Sequence, residues 1–353
     1  MSNVSSIDAG AALAQVAADE LGARPAGGRT LRRKGGWFQV LRPLSPRARF
    51  VLGALSFVLP VLIWCVVSYV PFVWHPQVEI TDPGSTDYLQ TGMRMNKVDF
   101  ANAVKEAEAD HKAPPKGFPS NPIYLPAPHE VAAALYTSFT QPPMTQGGPR
   151  LHQSLWHSIQ VIFWGFVISS LLGVPIGILC GTYAGFARLN EPFIEFFRYL
   201  PAPAFGALAV AILGIYDGPK ITIIVIGTFF QQVLIIANTT RKLDVGLVEA
   251  ALTLGTKKLK LLSRVVIPGI LPDLYRDQRI LLGWAWTYLI VAELIGTSTG
   301  ITFFITQQAR YQHFASVYAA IIIIGIIGLS TDIVLALIGR RLFPWDRTLD
   351  KSA

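Results

Sequence analysis

The sequence predicts an all-α integral membrane protein with about six transmembrane helices. Two observations lead to this fold class. Only 15% of the 353 residues are charged and 52% are hydrophobic, whereas about 25% of the residues of a soluble domain are charged. The hydrophobic residues also form blocks that are nearly free of charge, and most blocks approach the ~20 residues that a helix needs to cross the bilayer core.

Six such blocks occur along the chain. The third block contains Arg198 and Pro201, and the fifth block is short. The predicted spans are Phe50–Val73, Ile159–Gly181, Phe193–Leu213, Ile221–Ala237, Ile280–Ile295 and Val317–Ile338.

The basic residues predict how these spans are oriented. The net charge is +8, but the basic residues lie mostly beside the apolar blocks and not on a soluble module, so no nucleic-acid partner is expected. They are concentrated before the first block, after the fourth and after the sixth. Because cytoplasmic loops carry the excess of Lys and Arg, both termini and the loop between the fourth and fifth spans are predicted to be cytoplasmic.

Two polar regions lie outside the spans on the N-terminal side. Residues 1–40 contain no short apolar core with a cleavage-like end, so no signal peptide is expected. The polar stretch His75–Trp156 has no excess of basic residues, which favours an extracytoplasmic position. Within this stretch we expect a helix at Asp99–Asp110, with Asp99 as its N-cap, and a second helix at Pro128–Phe139.

The second block carries glycines at intervals of four residues, at positions 173, 177, 181 and 185. On a helix these glycines form one smooth ridge, which allows another helix backbone to approach closely. The spacing therefore predicts tight helix packing along this ridge.

A basic amphipathic stretch connects the fourth and fifth blocks. It predicts two helices separated at Gly255, because glycine readily adopts the positive φ that reverses the chain after a helix. The stretch also contains many leucines, including Leu252 and Leu254. These leucines need either a protein partner or a lipid surface to bury them.

This stretch resembles the EAA signature of the permeases of ABC importers: Glu-Ala-Ala, three residues, Gly, nine residues, and then apolar-x-apolar-Pro. Val265 and Ile267 are conservative replacements in the last part. The resemblance implies that a short coupling helix around the glycine docks in a cleft of a separate ATPase subunit. It assigns ATPase coupling to Glu249, Ala250, Ala251, Leu252, Thr253, Leu254, Gly255, Thr256 and Pro268.

Further motifs are similar to those of the subgroup that carries nitrate, sulfonates such as taurine, and bicarbonate. They are Leu125–Pro128 before the second span, Arg198–Pro201 in the third, Ala292-Glu293 in the fifth and Gly300–Phe304 after it. The resemblance extends over roughly Leu125–Pro344. The long stretch His75–Tyr124 departs from the family pattern.

The resemblance implies a type I ABC-importer permease fold in the inner membrane, with an enlarged extracytoplasmic first loop. The chain would form the pathway for a small anion, such as nitrate, a sulfonate or bicarbonate, without being an enzyme itself. ATP and Mg²⁺ would bind to the partner ATPase. The other implied partners are an extracytoplasmic solute-binding protein, a second copy of the permease and membrane lipid.

The chain accordingly divides into five predicted regions. These are a partly disordered cytosolic tail (1–49), a first transmembrane helix (50–74), an extracytoplasmic insertion (75–156), a permease core (157–340) that includes the EAA loop (247–272), and a cytosolic C-terminal tail (341–353).

Polar side chains within the spans are the candidates for the pathway, because such groups are costly unless they face protein or water. Hydrogen bonding to a neighbouring helix is the alternative role for each of them. Glu293 either lines the pathway or is structural, as a cap or as a partner of Arg310. The candidates are Tyr199, Thr228, Gln231, Gln232, Thr287 and Glu293.

The sequence suggests two alternative functions. An ion-coupled secondary transporter or channel would need ion ligands within the spans, of which the sequence offers almost none. A membrane serine hydrolase is suggested by Gly296–Gly300, which matches the nucleophile-elbow pattern around Ser298, but a span precedes it where the elbow needs a strand. The sequence contains no Gly-Lys pair for a phosphate loop and no metal-binding pattern, so no catalytic or metal site is predicted.

Overall fold

The computed structural model describes residues 45–70, 73–141, 150–295 and 299–346. The chain divides into two units between Leu59 and Pro60, within the first described helix, α1 (Pro46–Tyr69). The side chains of α1 are apolar and largely exposed, and only Ser68 is buried. A helix that is apolar on all sides and packs little against its own chain suits a lipid environment.

The segment after α1 contains a small antiparallel sheet. Its strands are β1 (Gln77–Asp82), β2 (Arg94–Asn96) and β3 (Lys116–Ser120), in the order β2-β1-β3. Helix α2 (Lys97–Ala109) packs on the sheet and buries Ala103 together with Ile80 of β1. The prediction of an all-α chain missed this sheet, because β1 shows its alternation of buried and exposed side chains over only six residues.

The two predicted helices of this segment are present with small corrections. The helix expected at Asp99–Asp110 starts earlier, at Lys97, and Asn96 occupies the N-cap position predicted for Asp99. Asp99 instead lies in the first turn, where the helix dipole favours a carboxylate. The helix predicted at Pro128–Phe139 is confirmed as α3 (Pro128–Thr140).

Arg94 ties the sheet to α3. Its guanidinium donates to Glu79 of β1 and to Glu130 of α3, both at 2.9 Å. Burial disfavours the charged guanidinium, but its hydrogen bonds to the carboxylates of Glu130 and Glu79 outweigh this effect and raise the pKa of Arg94. Glu130 also accepts from the backbone N–H of Ala127 at 2.8 Å. One carboxylate therefore caps α3 and holds the sheet against it.

The rest of the chain consists of helices. The long helices are α4 (Leu151–Thr182), α7 (Asp217–Arg241), α10 (Ile267–Ile295) and α12 (Phe314–Leu342), and the shorter ones are α5 (Ala184–Arg198), α6 (Gly206–Leu213), α8 (Val245–Thr253), α9 (Lys258–Leu261) and α11 (Ile301–Arg310). Their main core joins α4, α7, α10, α11 and α12. Leu151, Ile223, Leu289 and Ile301 are fully buried in this core.

The predicted glycine ridge packs α4 against α7. A Cβ on Gly177 would lie 2.8 Å from Cβ of Ile236, and a Cβ on Gly173 would lie 2.9 Å from Oε1 of Gln232. Gly181 likewise leaves no room between α4 and Thr240. The prediction is confirmed for these three glycines. Gly185 belongs to α5 and meets nothing within 4 Å.

Four helices in the described part of the chain are long and apolar enough to cross a membrane: Pro46–Tyr69, Leu151–Thr182, Asp217–Arg241 and Phe314–Leu342. The predicted third span, Phe193–Leu213, is not one straight helix, because Ala184–Arg198 and Ala202–Leu213 are bent by 87° at the break containing Pro201. The fifth predicted span is the C-terminal half of α10, whose first half carries four charged residues. The count of six remains a prediction.

Candidate coupling element and transport pathway

The EAA loop has the predicted helix–turn–helix geometry. Helix α8 begins at Asp244, whose side chain accepts from the N–H of Gly246 at 2.9 Å. It ends at Gly255, where φ is +78°. The Gly255 N–H donates to Leu252 O at 2.9 Å, and the Thr256 N–H donates to Ala251 O at 3.1 Å. This is a Schellman motif, which accounts for the need for glycine at position 255.

The loop exposes leucines along one stretch. Leu254 is 86% exposed and Leu259 is 79% exposed. We call four exposed leucines, residues 247 and 252 of α8, its C-cap residue 254, and residue 259 of α9, the apolar coupling surface. Glu249 is exposed on the same helix. So much exposed leucine on a short segment is typical of a docking surface.

The loop is joined to the ends of the long helices. A cavity of about 330 Å³ lies between α8 and the C-terminal ends of α4 and α7, and Val248, Tyr183 and Arg241 contribute to its lining. Arg241 also pairs with Glu191 of α5. After α9 the chain forms one wider π-helical turn, Leu262–Val266, and continues directly into α10, where Pro268 is the second residue. The loop is therefore continuous with α10 and borders a cavity at the ends of α4 and α7.

Two of the predicted pathway residues are buried and bonded within the helix bundle. Thr228 is fully buried and donates to Ile224 O of its own helix at 2.7 Å. Gln232 is fully buried as well; it accepts from Ser169 Oγ at 2.8 Å and donates to Gln278 Oε1 at 2.7 Å. The bonds of Gln232 join α4, α7 and α10, whereas Thr228 bonds only its own helix, and both side chains are enclosed by the bundle.

Glu293 has a capping geometry. It is 3% exposed, and its carboxylate accepts from Ser158 Oγ and from the Thr302 N–H, the latter at 2.8 Å. The Ile301 N–H donates to Ser158 Oγ at 2.8 Å. Gly300 has φ +104° and passes so close to this carboxylate that a Cβ would overlap it. Glu293 thus caps the start of α11, and the alternative pairing with Arg310 is not what the structure shows.

A buried lysine near this cap was missed from the sequence. Lys220 is fully buried. Its Nζ donates to Asp217 Oδ1 at 3.1 Å and to Thr299 Oγ1 at 2.8 Å. His157 Nε2 lies 3.0 Å from the same Asp217 oxygen. The cluster fastens α4 and α7 to the turn before α11. Ser298 of the hydrolase pattern lies outside the described residues.

The remaining candidates lie near the bend of the third span. Tyr199 is 75% exposed, and its hydroxyl accepts from Arg198 Nη2 at 2.9 Å. Gln231 lines a cavity of about 70 Å³ together with Arg198 and Tyr288. Thr287 is exposed on α10. Arg198, which sequence reasoning had not assigned to the pathway, thus contacts Tyr199 and lines the same cavity as Gln231.

Comparison with known proteins identifies the family. Residues 173–344 match the model of the binding-protein-dependent transport system inner membrane component family. A probable ABC transporter permease protein of Brucella melitensis is 34% identical over 191 residues, which is 54% of this chain and 78% of that protein. The chain belongs to this family. It is the permease subunit of an ABC importer, and the ATPase is a separate subunit.

Two further relatives match the predicted subgroup. The taurine transport system permease protein TauC of Escherichia coli is 30% identical, over 64% of the permease and 81% of TauC. The putative aliphatic sulfonates transport permease protein SsuC of Bacillus subtilis is 32% identical, over 55% of the permease and 72% of SsuC. The permease is accordingly a multi-pass inner-membrane protein that works with an ATPase and a binding protein.

The fold is also that of a solved transporter. A chain of the MetNI methionine ABC transporter in an inward-facing conformation covers 54% of the permease, with 95% of its own length, at a TM-score of 0.50 and 19% identity. This likeness concerns the fold of the helical core.

Proposed function

We propose that the permease imports a small oxyanion, such as a sulfonate, bicarbonate or nitrate, and that the apolar coupling surface docks on the ATPase. The relatives named for taurine, aliphatic sulfonates and bicarbonate support this substrate class. The observation that carries the coupling role is the exposed leucine surface on a helix–glycine turn, with Leu254 and Leu259 nearly free of contacts.

The proposed mechanism is alternating access. ATP binding draws the ATPase pair together and moves α8 and α9. Because α8 borders a cavity at the ends of α4 and α7, and the π-helical turn leads straight into α10, this movement reorients the helices that line the pathway. Rigid helices that are joined to a moving element transmit such a displacement as discrete rearrangements.

We further propose that both termini are cytoplasmic, that the sheet-containing insertion faces the binding protein, and that two permease chains form one pathway. A groove of about 410 Å³ between α10 and α12, lined in part by Gly283, Gly325 and Gly328, supports the dimer. Arg279 and Asp332 form a bidentate pair at its edge, and the Asp332 side chain is 51% exposed. A half-exposed ion pair is costly against lipid, so a second protein surface is its expected neighbour.

Reconstituted transport tests the proposal. Proteoliposomes containing the permease, its ATPase and its binding protein should accumulate labelled taurine or bicarbonate only when ATP is supplied on the ATPase side. Uptake driven by a sodium or proton gradient, without the ATPase, would contradict the proposal and favour the ion-coupled alternative.

A further inference from the structure

We propose that Arg198, at the bend of the third span, binds the anionic group of the cargo during its passage. This inference rests on the proposed function, because it assigns a contact residue to the proposed oxyanion. The ligand class is a small oxyanion group, such as a sulfonate or a bicarbonate.

The first support is the height of Arg198 along the helices, although its side chain is exposed. Arg198 is the last residue of α5, and the ring of the preceding Phe197 stacks on Phe230 of α7 at a centroid distance of 5.3 Å. Phe230 and Gln231 lie near the middle of α7, and Gln231 is ten residues before Arg241, the last residue of that helix. Ten residues of helix correspond to ~15 Å, about half of the ~30 Å bilayer core.

The second support is the lack of a counter-charge. Among the residues that the structure describes, no carboxylate lies within 4.0 Å of the Arg198 guanidinium, which donates to the Tyr199 hydroxyl and lies 4.7 Å from the centre of its ring. Arg279 of α10, in contrast, is paired with Asp332. An uncompensated cation at membrane depth is costly, and such residues are found where water or a charged ligand reaches them.

The third support is the surroundings of the guanidinium. The cavity beside Arg198 is lined by Gln231, Trp284, Tyr288 and apolar residues, and by no acid. Gln231 and Tyr288 supply donors that suit an oxyanion. The chain is irregular at Leu200 and Pro201, which follow Arg198 and Tyr199. Irregular backbone at membrane depth occurs where it is buried in protein or lines a water-filled cavity.

The small size of the site suits transient binding of the cargo during transport rather than tight retention. The cavity volume is about 70 Å³, which corresponds to roughly two water molecules at ~30 Å³ each. It holds an anionic group and not a whole larger solute. Binding at one charge and two neutral donors is weak enough to allow release, as a transport pathway requires.

Trp284 provides a direct probe, because iodide quenches indole fluorescence on contact and Trp284 lines the same cavity. The full chain in lipid nanodiscs has eight tryptophans, so the contribution of Trp284 is obtained by subtracting the signal of a Trp284→Phe variant. In the wild type, iodide should quench Trp284, and bicarbonate or methanesulfonate should protect it at constant ionic strength. Neutral urea should not protect it.

Arg198→Gln should lower the iodide quenching constant of Trp284 roughly tenfold, as expected for the loss of one charge a few ångströms away in a medium of low polarity. Arg198→Lys should stay close to the wild type. Arg188→Gln is the matched control, because Arg188 is an exposed arginine on the same helix near its other end. Quenching by neutral acrylamide should be the same in all variants.

An unchanged iodide constant in Arg198→Gln, an equal loss in Arg188→Gln, or no protection of the wild type by either oxyanion would overturn the inference. The last outcome needs no variant and so does not depend on how well Arg198→Gln folds. Normal ATP-driven uptake together with any of these results would refute the Arg198 site alone. Failure of uptake in the reconstituted system would instead concern the proposed function.

Discussion

Individual residues in this permease have either a structural role or a proposed role in coupling, and Glu293 shows the structural role most clearly. Its carboxylate receives the Ser158 hydroxyl and the Thr302 N–H while only 3% of the residue is exposed. A carboxylate in this position satisfies the first donors of α11 and interacts favourably with the positive end of the helix dipole. Nothing in this arrangement requires contact with cargo.

Glu293→Ala should therefore destabilise the protein more than it impairs transport. The change leaves the Ser158 hydroxyl and the Thr302 N–H without their acceptor, which costs about 1–3 kcal/mol for each buried group. Thermal unfolding in detergent should show a clear decrease in Tm, whereas Glu195→Ala, at an exposed acid of α5, should not. Loss of uptake with an unchanged Tm would instead place Glu293 in the pathway.

Gly255 shows the second task, because one backbone angle determines the shape of the coupling element. Gly255→Pro should abolish ATP-driven uptake while the protein still inserts, since proline fixes φ near −65° and the turn needs +78°. Glu249→Arg, on the exposed face of α8, should have the same effect by reversing a charge at the proposed docking surface. Glu108→Arg, at an exposed acid of α2, is the control, and normal coupling of ATPase activity in either loop variant would count against this role.

At the scale of elements, the packing of α4 on α7 depends on glycine. Gly177→Val should lower the unfolding free energy by about 1–3 kcal/mol from overpacking, because a Cβ there would lie 2.8 Å from Ile236 Cβ and 2.9 Å from Val233 O. Gly185→Val adds the same side chain where nothing lies within 4 Å. The two variants should differ clearly in denaturant or thermal unfolding, and equal effects would mean that the ridge is not tightly packed.

The insertion gives an element-scale test of orientation. A cysteine at Ser85, which is exposed, should react with a membrane-impermeant thiol reagent added from outside, and a cysteine at exposed Ser263 should not. Ser120 is chemically similar but 6% exposed, so labelling there should be slow despite its place in the same segment. Labelling of Ser263 and not of Ser85 would show that the orientation is the reverse.

Local signals in the sequence predicted some elements well. The turn at Gly255 and the helix that begins at Pro128 each depend on the backbone preferences of a few adjacent residues. The sheet of the insertion was missed because its strands are three to six residues long. The bend of the third span was also missed, although Arg198 and Pro201 within an apolar block were the available signal.

Long-range contacts explain why the site residues were harder to predict. Glu293 meets Ser158 across 135 positions of the chain, and Lys220 meets Thr299 across 79. Thr228 and Gln232 look like pathway residues in sequence because both are polar within a span. Only the neighbouring helices show that one bonds its own backbone and the other bonds Ser169 and Gln278.

At the scale of the whole molecule, the proposed function depends on a leucine surface on the EAA loop that holds a separate ATPase to the membrane helices. The exposed apolar side chains of α8 and α9 fit this proposed docking. Charged residues are depleted at the buried centre of protein–protein interfaces, so a charge placed among docked leucines should weaken the contact.

The most direct test is co-purification of the ATPase with Leu254→Asp. If the apolar coupling surface docks on the ATPase, this variant should insert normally but retain little of the ATPase and show no ATP-driven uptake. Val98→Asp, at a residue of α2 that is 70% exposed, should retain both. Full retention of the ATPase and normal uptake by Leu254→Asp would contradict the proposed docking of the apolar coupling surface.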